Sequence, residues 1–332
     1  MLDSLHIRNF RCFDDLQVPS LGRINLIVGK NNTGKSTLLE AVYVFAKNGA
    51  QEALKEILDN RHEFFSESPS SQGQGNNSMG VFWQRLSSSK LKNDEVTIKN
   101  IDGTSVVSSN LSTINGFLQD YTDHFPLNER GNETLPHAII STNIESETKL
   151  ATLWDEVYLN SEDQFLQEAL HIINPNITSL MFVQRPDKLV DNSNQGQRVA
   201  VVKLKGEARA VPLKAMGEGM SRLLQIFLHA FFARNGYLMI DEFENGLHYS
   251  IQEEVLEKLF KLAKELDIQV FLTTHSKDTI KAFSKVALRS PEEGRLISLG
   301  RNERDIDKGK ITALVYDESD IQLIAETDME VR

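Results

Sequence analysis

Cysteine is nearly missing from this chain of 332 residues: Cys12 is the only one. A single thiol cannot form an internal disulfide, so the stapled frameworks of small secreted domains are excluded. Long apolar runs are missing as well. The most apolar stretches, such as residues 224–232, fall far short of the ~20 residues a transmembrane helix needs, so no membrane partner is expected. No basic stretch leading into an apolar core opens the sequence, so no signal peptide is expected and a cytoplasmic setting is the default. Asn-x-Ser/Thr triplets such as Asn132-Glu133-Thr134 then read as chance matches. Heptads do not persist anywhere, which excludes a long coiled coil, and no internal repeat is found. Positive excess is also lacking. The net charge is −11, which argues against a chain coated with non-specific nucleic-acid-binding surface but leaves room for a local basic groove.

What is present is regular at both ends. Residues 4–10 and 13–18 read as short strands, and residues 23–28 form an apolar strand running into glycine. Residues 35–46 carry helical spacing through Leu38, Leu39, Val42 and Phe45. Between 49 and 197 the pattern weakens. Residues 66–78 are low in complexity and predict a surface loop. Residues 93–110 suggest a hairpin turning at Asp102-Gly103, and residues 145–173 read as helical. From about Arg198 strand and helix alternate again: a hairpin around Gly206-Glu207, helix 219–234, strand 237–240, helix 250–266, strand 269–273 and helix 277–284. Two more strands and a short helix follow. This order predicts an α/β fold with a mixed or parallel sheet and N-terminal antiparallel strands. That fold is therefore expected to be split, 1–48 plus 198–332, around a mainly helical insertion at 49–197.

Gly29-Lys30-Asn31-Asn32-Thr33-Gly34-Lys35-Ser36 fits the phosphate-loop pattern G-x-x-x-x-G-K-[ST]. The glycines let backbone N–H groups turn toward phosphate oxygens, and the helix behind adds its positive end. Asn31, Asn32, Thr33 and Thr37 belong to this cradle, Lys35 is expected on the β- and γ-phosphates of ATP, and Ser36 on Mg2+. Tyr237-Leu238-Met239-Ile240 ends in Asp241-Glu242. A carboxylate at that strand end suits Mg2+, and the next acid suits proton abstraction from attacking water; alone, the pair also fits a strand ending in a polar turn. Another apolar strand ends at His275, where contact with the γ-phosphate is expected. His6, His62, His124, His137, His171 and His229 have no such context. Met216-Gly217-Glu218-Gly219 opens a helix and serves either as a loop with an N-cap or as N–H donors for phosphate.

Together, and in this order, these elements resemble the soluble branch of the ABC-type ATPases, which includes SMC proteins, RecF-type ATPases and the OLD (overcoming lysogenization defect) family. Ile7-Arg8-Asn9-Phe10-Arg11-Cys12-Phe13, Ile24-Asn25-Leu26-Ile27-Val28-Gly29, and Asp241-Glu242-Phe243-Glu244-Asn245-Gly246-Leu247-His248 carry the likeness. It covers 1–48 and about 205–290 well, and the insertion poorly. The resemblance implies an ABC-type P-loop NTPase acting as a head-to-head pair, each ATP lying between one subunit's phosphate loop and the other's Gly217, Glu218 and Gly219. That segment departs from the Ser-Gly-Gly-Gln of transporters. Asp241 takes the metal role, Glu242 the general-base role and His275 the switch role; Arg11 falls where relatives place a basic residue near the nucleotide. A glutamine contacting the site is expected in the insertion, at Gln84 or Gln184.

The stretch after His275 is too short for the TOPRIM nuclease domain of OLD nucleases. Asp317, Glu318, Asp320, Asp328 and Glu330 read as a solvated tail. The leading expectation is a dimerising ATPase that controls a separate nuclease or effector partner in anti-phage defence. The alternatives are a repair ATPase acting directly on DNA, a nucleotide-gated scaffold that does not hydrolyse, and, less in keeping with the sequence, a transporter subunit or a small-molecule kinase. Lys90, Lys92, Lys99, Arg185, Lys188, Arg198, Lys203, Lys205 and Arg209 furnish either a basic groove for DNA or scattered solvated charge.

Overall fold

In a computed structural model the described residues are 1–50, 53, 56–57, 61, 95–103, 106–110, 134–160, 163–184, 198–302 and 309–326. The architecture is built around β3 (Ile24–Gly29), whose six residues are all buried. An apolar run without alternation suits a strand covered on both faces, and β3 lies in the middle of a sheet for that reason. Its neighbours are β11 (Gln269–Thr273) and β12 (Gly294–Arg301), both parallel to it. Beyond β11 come β10 (Tyr237–Ile240) and β6 (His137–Ile140), also parallel, while β13 (Ile311–Val315) closes the other edge antiparallel to β12.

Alternation along β3 divides the interior. Ile27 joins a core with helix α1 (Lys35–Ala46) and the N-terminal strands, whereas Ile24, Leu26 and Val28 face the opposite core. On the first face β1 (Leu5–Phe10) pairs antiparallel with β2 (Phe13–Val18) and with β4 (Glu95–Lys99), which pairs in turn with β5 (Val106–Asn110). On the other face lie α2 (Glu147–Leu159), α3 (Asp163–Leu170), α4 (Glu218–Phe232), α5 (Tyr249–Glu265), α6 (Lys277–Arg289) and α7 (Glu318–Glu326). A three-stranded sheet of β7 (Ile177–Gln184), β8 (Arg198–Leu204) and β9 (Val211–Pro212) packs beneath α2 and α3.

Described parts of 49–197 are built into the ATPase core: β4 extends the N-terminal sheet and β6 the central one. Helices α2 and α3 share the core of α4, α5 and α6. The physical reason is edge pairing. β1 and β10 each have a side that an additional strand must cover, and four residues of β6 carry too little periodicity to announce that they do so. Of the sequence-predicted elements, the hairpin at 93–110 and the helix at 145–173 match β4–β5 and α2–α3. The predicted loop 66–78 and Gln84 lie outside the described residues.

Candidate active site

Register brings the predicted residues to one end of the sheet. Ile240 is level with Leu272, which is level with Leu26. Asp241, Thr273 and Ile27 therefore follow at one height, and His275 emerges beside the start of the phosphate loop. Strands that run parallel deliver all of their C-terminal ends to the same edge, where ligands of open α/β sheets bind.

The loop holds left-handed backbone at Gly29 (φ 146), Asn32 (φ 62) and Gly34 (φ 91). Glycine is required at two of these positions. A Cβ on Gly29 would stand 2.4 Å from the Leu299 carbonyl oxygen, and one on Gly34 would stand 2.7 Å from the Phe13 ring and 2.8 Å from Cys12 Sγ. The Lys35 ammonium is buried and donates to the carbonyls of Gly29 at 2.9 Å and Lys30 at 3.0 Å. Thr33 Oγ1 also donates to Lys30 at 2.9 Å. Thr37 is buried in the first turn of α1, and Asn31 is exposed at the loop's crown.

Ser36 Oγ lies 3.1 and 3.0 Å from the carboxylate oxygens of Asp241. Thr273 Oγ1 donates to the same carboxylate at 2.5 Å. An alcohol and a carboxylate converging in this way are hard oxygen ligands of the kind that would hold Mg2+, an ion that ordinarily takes few protein ligands besides phosphate and water. Among the described residues no group of three His, Cys, Asp or Glu forms a metal cluster. Glu242 sits at φ 49, an uncommon conformation for a residue with a side chain. Its N–H donates to Thr273 Oγ1 at 2.8 Å and its carbonyl accepts from Arg222 at 3.3 Å. The backbone is thus pinned on both sides of the strained residue. The His275 side chain is exposed, while its N–H donates to Glu244 Oε1 at 2.8 Å.

Arg11, also at positive φ, has its guanidinium turned to α1, where Nε lies 2.9 Å from Glu40. Glu40 takes Arg61 as well, at 2.6 Å. The segment Gly217, Glu218 and Gly219 begins α4 and packs on the turn after the paired acids: a Cβ on Gly219 would stand 2.9 Å from the Gly246 carbonyl oxygen. Gly217 takes φ 100, and Glu218 occupies the first helical turn.

Sequence reasoning missed two parts of this neighbourhood. One is Arg222, fully buried, which donates to the carbonyls of Ser141 at 2.7 Å and Asp241 at 2.9 Å. Burial pulls its guanidinium below the ordinary value, opposed by the negative charge of Asp241, Glu244 and Glu242. The other is the segment after β6. Ser141, Thr142 and Asn143 line a cavity of about 700 Å3 together with Ser36, Glu40 and Asp241. Gln184, by contrast, ends β7 in the three-stranded sheet. An arginine inside an apolar helix and a polar triplet after a short strand were the available signals.

Residues 1–114 match a family described as AAA ATPase domain, and residues 148–280 one described as AAA domain, putative AbiEii toxin, type IV toxin–antitoxin system. An ATP/GTP phosphatase of Helicobacter pylori is 26% identical over 342 residues, covering 86% of this chain and 88% of that protein. The OLD nuclease of Thermus scotoductus is 48% identical over 42 residues, which are 13% of this chain and only 8% of the nuclease. Among solved structures, an SMC head bound to the C-terminal winged-helix domain of ScpA superposes with a TM-score of 0.52 at 14% identity, covering 96% of this chain and 98% of that one, a likeness of fold. The chain is an ATPase related to the OLD and RecF proteins, and it shares the fold of the SMC head. No helix among the described residues is long and apolar enough to cross a membrane.

Proposed function

We propose that this ATPase works as a head-to-head dimer in which ATP and Mg2+ bind the loop 29–37 of one subunit and Gly217, Glu218 and Gly219 of the other. In this reading Lys35 neutralises the β- and γ-phosphates, and Ser36 and Asp241 hold Mg2+, which polarises the phosphoryl group when bound. Glu242 takes the proton from attacking water, and His275 contacts the γ-phosphate. The observation that carries it is Glu242 itself: a carboxylate-bearing residue fixed at φ 49 next to a carboxylate that already faces Ser36. Left-handed backbone costs a side-chain-bearing residue on the order of 1 kcal/mol, and the bonds to Thr273 and Arg222 hold it there. The test is Glu242→Gln. Phosphate release should fall by about two orders of magnitude or more, the scale of removing a general base. ATP-bound dimers should accumulate in light scattering. Unchanged phosphate release removes Glu242 from the role of general base.

The proposed purpose is control of a separate nuclease or other effector in anti-phage defence. Supporting it are the toxin–antitoxin family description and the OLD nuclease likeness over 42 residues. Co-expression with candidate nucleases, scored by phage plating, tests it. A direct action on DNA is favoured by one observation. Lys203, Lys205, Arg209 and Lys214 are all exposed on or beside the β8–β9 hairpin of a chain with net charge −11. ATPase rates that rise with double-stranded DNA and fall back with added salt would favour this second reading.

A further inference from the structure

The phosphate loop has an outer support that neither motif nor family match covers. Strand β12 pairs with β3 so that Leu299 is level with Gly29, which carries Arg301 past the end of β3 and alongside the loop's crown. The exposed Arg301 side chain donates through one nitrogen to the Asn32 carbonyl at 2.9 Å and through the other to the Gly309 carbonyl at 3.1 Å. Arg301 lies outside both matched segments, 1–114 and 148–280.

The consequence follows from peptide geometry. In a trans peptide the C=O and the following N–H point in opposite directions. Arg301 holds the Asn32 oxygen on the outside of the loop, so the N–H of Thr33 is directed inward, where backbone donors meet the α- and β-phosphates of a bound nucleotide. Asn32 is also the one residue of this loop with a side chain and positive φ (62), a conformation that asparagine adopts more readily than most residues and that a partner on its carbonyl holds in place. Lys35 and Thr33 already occupy the carbonyls of Gly29 and Lys30 from within the loop. For Asn32 the holding group comes instead from a strand 269 residues away in sequence. The guanidinium also adds positive charge near Cys12, at the side of the loop that Gly34 presses against.

We propose that Arg301 is a positioning residue for nucleotide binding: by gripping the Asn32 carbonyl it keeps the Thr33 N–H aimed at the β-phosphate. The proposal rests on the loop being the nucleotide site. Because the β-phosphate is common to ATP and ADP, both ligands depend on Arg301 alike, and the chemical step does not.

Arg301→Met keeps the length of the side chain and removes the donors, and as an exposed residue it leaves the core untouched. ATP and ADP affinities, measured by fluorescent-nucleotide displacement, should weaken together by about tenfold, the worth of one charge-assisted hydrogen bond. kcat should stay within about twofold and the melting temperature of the ligand-free protein should not move. Arg301→Lys should recover part of the loss, since an ammonium reaches one carbonyl but not two. Unchanged affinity for both nucleotides overturns the proposal. So does a loss confined to ATP, which would put Arg301 on the γ-phosphate. A Lys35→Ala control separates the two levels: if that variant also binds normally, the nucleotide lies elsewhere and the site reading falls with this one.

Discussion

The Arg222 guanidinium donates to the main-chain carbonyl of Asp241 at 2.9 Å, while the Asp241 carboxylate is left to Ser36 and Thr273. One buried cation thereby organises the backbone under the paired acids without competing for the acid itself. The same side chain reaches Ser141 and Glu242, so α4, the segment after β6 and the end of β10 meet at one group.

Replacing Arg222 should therefore cost stability before it costs chemistry. Arg222→Met leaves three buried or part-buried carbonyls without this donor, each worth about 1–3 kcal/mol when unsatisfied, less whatever water recovers. A fall in melting temperature of roughly 5 °C or more is expected by circular dichroism. Arg222→Lys should not rescue it, because an ammonium cannot span carbonyls on both sides of the fork. A melting temperature equal to that of the parent would mean that the bonds to Ser141 and Asp241 contribute nothing.

The Ser36–Asp241 pair predicts a metal-specific defect. Asp241→Asn keeps the shape and one acceptor for Thr273 but removes the charge that holds a divalent cation. Nucleotide binding without Mg2+ should change by less than about threefold. The Mg2+ concentration giving half-maximal phosphate release should rise at least about tenfold. A Mg2+ titration that superposes on the parent curve would dissociate Asp241 from the metal.

At Gly34 the prediction is steric. The residue has φ 91, and a Cβ would meet the Phe13 ring at 2.7 Å and Cys12 Sγ at 2.8 Å. Gly34→Ala thus combines a backbone cost of about 1–2 kcal/mol with a clash against the β1–β2 turn. Relief requires the loop to move off that turn, so nucleotide affinity should drop more than about a hundredfold. Calorimetric titration that finds tight ATP binding in Gly34→Ala would contradict this geometry.

Why the loop and the acids could be read from sequence is a matter of periodicity and steric need. Residues 24–29 form an uninterrupted apolar strand because they are covered on both faces, and Gly29 and Gly34 are there because backbone and ring leave no room for a Cβ. Those constraints act locally and leave a local imprint. Arg222 and Arg301 act over 19 and 269 residues, through carbonyl oxygens that every residue carries. Nothing in the sequence around Asn32 or Asp241 marks that its carbonyl is claimed. The segment after β6 was hidden for a related reason: a strand of four residues next to an extended weak-pattern region gives no sign of which sheet edge it will cover.

Glu145 gives a pH-dependent prediction with a defined sign. Burial pushes its carboxyl up, but His229 at 2.9 Å and Lys149 at 2.6 Å outweigh that and hold it below the ordinary 4.5. The unfolded chain, lacking both partners, protonates Glu145 near the ordinary value, whereas the folded chain resists until lower pH. Stability from this group is therefore fully present above about pH 4.5 and is lost as pH falls through the folded value. Glu145→Gln should be less stable than the parent in urea at pH 7. The gap should narrow steadily as pH is lowered from about 5 and close once the folded carboxyl has titrated. His229 is on α4 and Glu145 ends the polar segment that Arg222 also grips, so the variant loosens the attachment of 141–145 to that helix. A gap that stays constant from pH 7 down to the acid limb would show that Glu145 contributes through packing alone. A gap that widens on acidification would reverse the sign and place its folded carboxyl above 4.5.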